Sequence, residues 1–359
     1  MNVYYSDLHR LHAPPFEIFD GGEKIAIFEV PERAEKILTA LKADARFNIL
    51  PPEDFGLDPI LAVHDAEYID FLRSAFHEWQ SEPTDYEKVA LIPATFPPGG
   101  WRRKPKGILG RAGYYVMDLA APITAGTYFA ALASANCALS GAKNLTADHR
   151  PQAENARTLS TIHHPPSAFA LCRPPGHHAG RANCGGYCYI NNAAVAANWL
   201  SQRGKVALLD IDYHAGNGTQ DIFYERADVL SISIHADPNY EYPYFAGYAD
   251  ETGAGPGAGF HRNFPLPFGA DDVRYMESLT HALDLIKDFA PSSLVISAGM
   301  DIYGEDPLGR IRVTTDVIGQ IGTQIAALGL PTLIVMEGGY NNDALGTNIV
   351  TFLGAFHEK

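Results

Sequence analysis

KVALLDIDYHAGNG, residues 205–218, begins as an apolar run and ends as a cluster of charge. Val206 to Leu209 have the length and composition of a strand buried on both faces. Asp210, Asp212 and His214 then follow at alternate positions, before an Ala-Gly-Asn-Gly turn. In extended backbone, residues two apart share a face, so Asp212 and His214 point the same way. Either the strand ends in solvent there, or the stretch is half of a metal site. The rest of the chain decides between the two.

Four further runs have the same character: SAFALC (167–172), ADVLSISI (227–234), SLVISA (293–298) and TLIVM (332–336). Helical patterns separate many of them, among them NNAAVAANWLSQ (191–202), VRYMESLTHALDLIKDF (273–289) and DVIGQIGTQIAAL (316–328). Short apolar runs alternating with helices predict an α/β fold with a mainly parallel central sheet flanked by helices. The length suits one large domain or two smaller ones. With no repeat or linker in view, one domain over 1–359 is expected, with a surface excursion at about 80–112. That excursion holds prolines, glycines and six basic residues in an otherwise acidic chain, and reads as a lid or an oligomer contact.

A parallel sheet binds ligands beyond the carboxyl ends of its strands, so the residues there carry the functional reading. After 172 come His177 and His178; after 209 come Asp210, Asp212 and His214. The third run ends in Ser233, Ile234 and His235, the fourth leads to Asp301, and the fifth to Glu337 and Tyr340. Asp212, His214 and Asp301 would give a divalent ion three protein ligands and leave a position for water, as a catalytic site requires. The donors suit Zn²⁺ and also admit Fe²⁺, Co²⁺ or Mn²⁺. One of the paired histidines can serve as general base, oriented by Asp210 or Asn217, and the Tyr340 phenol can donate to a polarised carbonyl oxygen. A second pair, His163-His164, precedes a strand instead of following one and is assigned no role.

A formal charge of −15 and a pI near 5.3 argue against nucleic acid as partner and allow a neutral or cationic small molecule. Four cysteines in 359 residues suggest a reducing, cytoplasmic compartment, and Cys184 and Cys188 lack the second pair that a structural zinc site needs. No signal-like or membrane-spanning run is apparent.

Four motifs in fixed order, CRPPGHHAGRANCGGYCYINNAAVA, LLDIDYHAGNGTQDIFYE, SAGMDIYGEDPLG and MEGGY, resemble the histone deacetylase and acetylpolyamine amidohydrolase superfamily of arginase-like α/β fold. The likeness runs from about 165 to 345 and extends more weakly to HDAEYIDFL (64–72) and APITAGTYFAA (121–131). EGGY and the 80–112 loop look most like the bacterial acetylpolyamine amidohydrolases, which implies a homodimer through that loop. The resemblance implies Zn²⁺ on Asp212, His214 and Asp301, with His178 as base and acid bonded to Asn217, and His177 supporting it with Asp210. Tyr340 would polarise the amide. A structural K⁺ would sit on Asp210, Asp212, Ser233 and the backbone carbonyls of His214 and Ile234. Gly186 and Tyr187, with Tyr242 or Phe245 opposite, would form the substrate tunnel.

The expected activity is deacylation of a small amine, an acetylated polyamine or a more neutral amide. A protein acetyl-lysine deacetylase and a silent acyl-amine binding protein are the alternatives, and a binuclear manganese ureohydrolase is disfavoured for want of further acidic ligands. Two departures stand out. Ala215 replaces a second histidine after the ligand histidine. Leu109 and Ala120 stand where polyamine-binding relatives carry rim carboxylates, with Arg111 added and Asp118 as the nearby acid.

Overall fold

The computed structural model describes residues 1–85, 87–97, 103–146 and 165–357. His163 and His164 lie outside them, as does part of the 80–112 excursion. The strands are β1 (Asn2–Tyr4), β2 (Glu17–Phe19), β3 (Glu23–Ile25), β4 (Asn48–Leu50), β5 (Ser167–Ala170), β6 (Val206–Asp210), β7 (Val229–Ala236), β8 (His261–Leu266), β9 (Ser293–Ala298) and β10 (Thr332–Met336). Among the described residues, eight of them form one parallel sheet in the order β4-β1-β5-β10-β9-β6-β7-β8, while β2 and β3 pair as a separate hairpin. The five runs read from the sequence are β5, β6, β7, β9 and β10. The three-residue strands β1 and β4 are too short to show a period, and β8 contains Asn263 and Pro265, which hide it.

Both sheet faces are covered, which explains why the strands read as continuous apolar runs. Along β6, Val206 and Leu208 pack on one side beneath α5 (Thr127–Thr146) and α6 (Asn192–Ser201). Ala207 and Leu209 pack on the other beneath α8 (Asp272–Phe289), α9 (Thr315–Ala326) and α10 (Leu345–Gly354). On this second side α1 (Pro31–Lys42) lies against α10. Side-chain caps set several helix starts. Asn191 accepts from the Ala194 amide, Asp271 from Arg274 and Thr314 from Val317, each satisfying a first-turn N–H. No helix among the described residues is long and apolar enough to cross a membrane.

The chain leaves β6 towards β7 and β8 on one side and returns through β9 and β10 on the other. Strand order thus reverses between β6 and β9, where a doubly wound sheet opens its crevice. Asp210 ends β6 in register with Ser233 of β7 and Ser297 of β9, so the polar residues beyond these strands converge on one edge.

Candidate active site

At the floor of the crevice, one ligand atom each from Asp212, His214 and Asp301 lies within 4.8 Å of the others. His214 Nδ1 is 3.4 Å from Asp212 Oδ1 and 3.4 Å from Asp301 Oδ2. Backbone amides hold the carboxylates: Asp212 accepts from His214 N–H at 2.9 Å and Gly338 N–H at 2.8 Å, and Asp301 Oδ1 accepts from Tyr213 N–H at 3.0 Å. Asp301 Oδ2 is buried and has no hydrogen-bond partner. A buried carboxylate oxygen left this way is costly unless a cation faces it, so the donor set fits a divalent ion. A Cβ on Gly338 would stand 2.3 Å from Asp301 Oδ2 and 2.6 Å from Asp212 Oδ2, which only glycine permits.

Burial and its neighbour Asp212 push Asp301 up to about 7. Burial disfavours the His214 cation, but the two carboxylates outweigh it and raise the imidazole to about 10. Without an ion, these three groups share protons to offset their own repulsion.

The two histidines after β5 lie with ring centres 3.9 Å apart and planes tilted by 41°. His177 Nδ1 donates to Asp210 Oδ2 at 2.9 Å, and its Nε2 faces Asp212 Oδ1 at 3.6 Å. Burial opposes its charge, but Asp212 and Asp210 prevail and hold His177 well above the usual histidine range. His178 goes the opposite way. Burial, then the charges of His177 and His214, hold it well below that range. Its Nδ1 lies 2.6 Å from the Asn217 amide oxygen, which can only accept, so Nδ1 carries the proton and Nε2 keeps its lone pair. Asn217 is in turn fixed by its amide N–H on Met117 Sδ at 3.7 Å.

Tyr340 is 8 % exposed and lines a cavity of about 310 Å³ together with His178 and His214. Its amide donates to Asp306 Oδ2 at 2.6 Å, and the Arg33 guanidinium lies 4.7 Å over its ring. Arg33 also donates to the carbonyls of Gly339 at 2.6 Å and Glu337 at 2.8 Å, tying α1 to the turn that presents Tyr340. Glu29 pairs with Arg33 at 2.9 Å and with Arg173 at 2.8 Å, so one buried carboxylate is shared by two buried guanidinium groups. None of this showed in the sequence, because an arginine on an amphipathic helix reads as a solvated one.

Gly186, Tyr187 and Tyr242 all line the cavity. Gly186 and Tyr187 both adopt left-handed φ, 50° and 66°, and a Cβ at Gly186 would fall 2.3 Å from the His178 ring. Holding Tyr187 there costs about 1 kcal/mol, and its hydroxyl is anchored on Glu17 at 2.8 Å. Tyr242 donates its hydroxyl to Asp118 at 2.7 Å and meets His178 edge-on at 4.9 Å. Phe245, the alternative tunnel residue, is 92 % exposed and borders a separate cavity of about 550 Å³, so Tyr242 forms this wall. Ala120 borders the tunnel cavity, whereas Leu109 stands exposed on helix α4 (Ile108–Tyr115) away from it, and Arg111 pairs with Glu78.

Ser233 gives its hydroxyl to His235 Nδ1 at 2.6 Å, since His235 Nε2 must donate to the Gly247 carbonyl. Ala215 is buried against Gly247, where a Cβ added to the glycine would stand 2.7 Å from the alanine's methyl carbon. His177, Cys188 and Glu337 form a second close group, but Glu337 is already engaged. It accepts from the amides of Gly176 at 2.6 Å and His177 at 3.1 Å and from Ser297, and so fixes the histidine turn. Sequence had marked Glu337 as a polar strand end without giving it a task. Cys137, Cys172, Cys184 and Cys188 are all free and buried.

Among known proteins, the family described as histone deacetylase domain matches residues 27–356. The chain is 45% identical over 357 residues to acetylpolyamine amidohydrolase 1 of Pseudomonas aeruginosa, covering 98% of this chain and 97% of that protein. It is 41% identical over 358 residues to the acetylpolyamine amidohydrolase of Mycoplana ramosa, covering 98% of each. The crystal structure of the acetylpolyamine aminohydrolase from Burkholderia pseudomallei shares its fold with a TM-score of 0.90, at 40% identity, over 99% of this chain and 98% of that one.

Proposed function

Because the chain belongs to the histone deacetylase family and is thereby a metal-dependent hydrolase of amide bonds, we propose that it removes the acetyl group of a small acylated amine, acetylated polyamines first among them. The names of its relatives supply that substrate class. The observation that carries the reading is the buried Asp301 Oδ2, without a hydrogen bond and 3.4 Å from His214 beside Asp212, below a cavity that His178 and Tyr340 also line.

Asp212, His214 and Asp301 would hold the divalent ion, Zn²⁺ with Fe²⁺ or Co²⁺ as alternatives, and when bound it supplies a Lewis acid and a water acidified towards neutral pH. A structural K⁺ on Asp210, Asp212, Ser233 and the carbonyls of His214 and Ile234 would offset the charge behind the site. His178, neutral with Nε2 free, takes the proton of the attacking water. His177, kept cationic against Asp210, stabilises negative charge developing beside it. The Tyr340 phenol, whose proton burial makes hard to lose, donates to the carbonyl oxygen as it gains charge. The His178 imidazolium then protonates the leaving amine.

One catalytic domain over 1–359, a homodimer through the 80–112 loop and a cytoplasmic setting complete the proposal. Free buried thiols support the last. The test is parallel hydrolysis of N-acetylputrescine, an acetyl-lysine peptide and acetanilide, before chelation, after it, and with zinc restored. Turnover of the peptide alone would move the reading to protein deacetylation, and turnover of none would remove the small-amine reading.

A further inference from the structure

The tunnel above the site is mostly apolar: Ile18, Phe19, Phe96, Leu119, Ala120 and Leu308 all contribute to its wall. Such a wall accepts methylene groups and offers a charged group nothing. Three carboxylates lie near it, and they differ in what they have left to give.

Glu17 is fully buried behind Tyr187, accepting that residue's hydroxyl at 2.8 Å and the Phe28 amide at 3.1 Å. Burial pushes it up to about 7. Asp118 accepts three hydrogen bonds, from the amides of Ala120 at 2.9 Å and Gly186 at 2.7 Å and from the Tyr242 hydroxyl at 2.7 Å. Both acids build the wall.

Glu241 is different. It follows β7, borders the cavity and is only partly buried. One oxygen accepts the Tyr213 hydroxyl at 2.7 Å and the other the Tyr242 amide at 3.1 Å. An ionised carboxylate has about four acceptor positions, so Glu241 is fixed in place with acceptor capacity remaining. Its two anchors are also tied to the reacting centre. Tyr213 stands between Asp212 and His214 in the chain, and the Tyr242 ring meets His178 edge-on at 4.9 Å.

We propose that Glu241 receives a cationic group on the amine side of the substrate, so that the site selects acyl amines with a second, protonated nitrogen over neutral amides of equal length. The proposal rests on the deacylation reading and names the residue that sets its substrate preference. The apolar wall takes the methylenes and Glu241 takes the ammonium, through a charge-assisted hydrogen bond in a partly desolvated cleft.

The experiment compares N-acetyl-1,4-diaminobutane with N-butylacetamide, which has the same chain without the distal amine. Calorimetric binding to the metal-free protein and steady-state kinetics of the zinc-loaded protein are measured for wild type, E241Q and E241A, with melting curves for each. Wild type is expected to bind the cationic ligand about 10- to 100-fold more tightly than the neutral one. E241Q and E241A should bring the two to near parity, the loss appearing mainly as a raised KM for the cationic amide. No discrimination by wild type, or equal losses for both ligands in the variants, would overturn the assignment. If zinc-loaded wild type cleaves neither amide but the binding preference persists and depends on Glu241, deacylation fails while the recognition role stands.

Discussion

His178 and Asn217 are joined by one short hydrogen bond, 2.6 Å from Nδ1 to the amide oxygen, and it decides which imidazole nitrogen faces the tunnel. With Nδ1 committed, Nε2 keeps the lone pair that proton transfer needs.

Asn217→Ala should therefore lower kcat by about 10- to 100-fold with little change in KM, because the imidazole loses its orientation while the tunnel stays intact. Asn217→Asp replaces the amide with a carboxylate, which favours the imidazolium. His178 is held low in the wild type, so the acidic limb of the pH–kcat profile should move to higher pH in this variant. An unmoved limb would separate Asn217 from the tautomer.

Arg33 supports Tyr340 from behind, through two carbonyls of the turn and the face of the ring. Arg33→Lys cannot reproduce the planar fork. Its expected effect is a fall in kcat of about tenfold and a loss of about 2–4 kcal/mol in stability, as Glu29 loses one of its two arginines. Urea denaturation and kcat on the acetylated amine check the two effects separately.

Metal and proton compete for Asp301. Its folded-state pKa, pushed up to about 7, lies above the ordinary carboxyl value, so in the metal-free protein its contribution to stability is present in acid and lost as pH rises through 7. Asp301→Asn removes that loss and should melt higher than metal-free wild type at pH 8. Added zinc should raise the melting temperature of wild type and leave the variant where it was. Gly338→Ala, which puts a methyl group against both carboxylates, should likewise abolish the zinc-induced shift.

Glu17 gives a second pH dependence, away from the metal ligands. Burial raises it from 4.5 to about 7, so the folded protein binds a proton more tightly than the unfolded chain. Stability should be highest below pH 4.5 with respect to this group and fall by about 3 kcal/mol as pH rises to 7 and beyond, an upper figure. Glu17→Gln keeps an oxygen for the Tyr187 hydroxyl and cannot ionise. Melting curves of the variant from pH 5 to 8 should be flatter than those of wild type.

Much of the site was legible before any tertiary contact was known. The strand runs read from the sequence end at 172, 209, 234, 298 and 336, and the polar residues after them supply three histidines, three aspartates and the tyrosine. These signals are local: an apolar run marks a buried strand, and the charge that follows marks where its backbone leaves the core. The tunnel was less legible. Tyr242 and Phe245 are three residues apart in one loop, and only the bond from Tyr242 to Asp118, 124 positions away, fixes which ring forms the wall. Glu17, Arg33 and Glu241 gave no signal, because each looks like a surface charge until the partner that buries or anchors it is in place.

The sequence by itself determined that Asp212 and His214 follow closely on the carboxyl end of a buried strand, although the chain bends over 212–214 just past β6 instead of staying extended as their spacing had suggested. It also determined that the site lies at the carboxyl edge of a parallel sheet. The sequence also named Asp301, but only the tertiary structure decided that it meets Asp212 and His214, since that depends on β9 lying beside β6 instead of at the sheet's end. Strand order follows from how helices pack on both faces of the whole sheet. That energy is summed over residues far apart in the chain, so no local spacing records it.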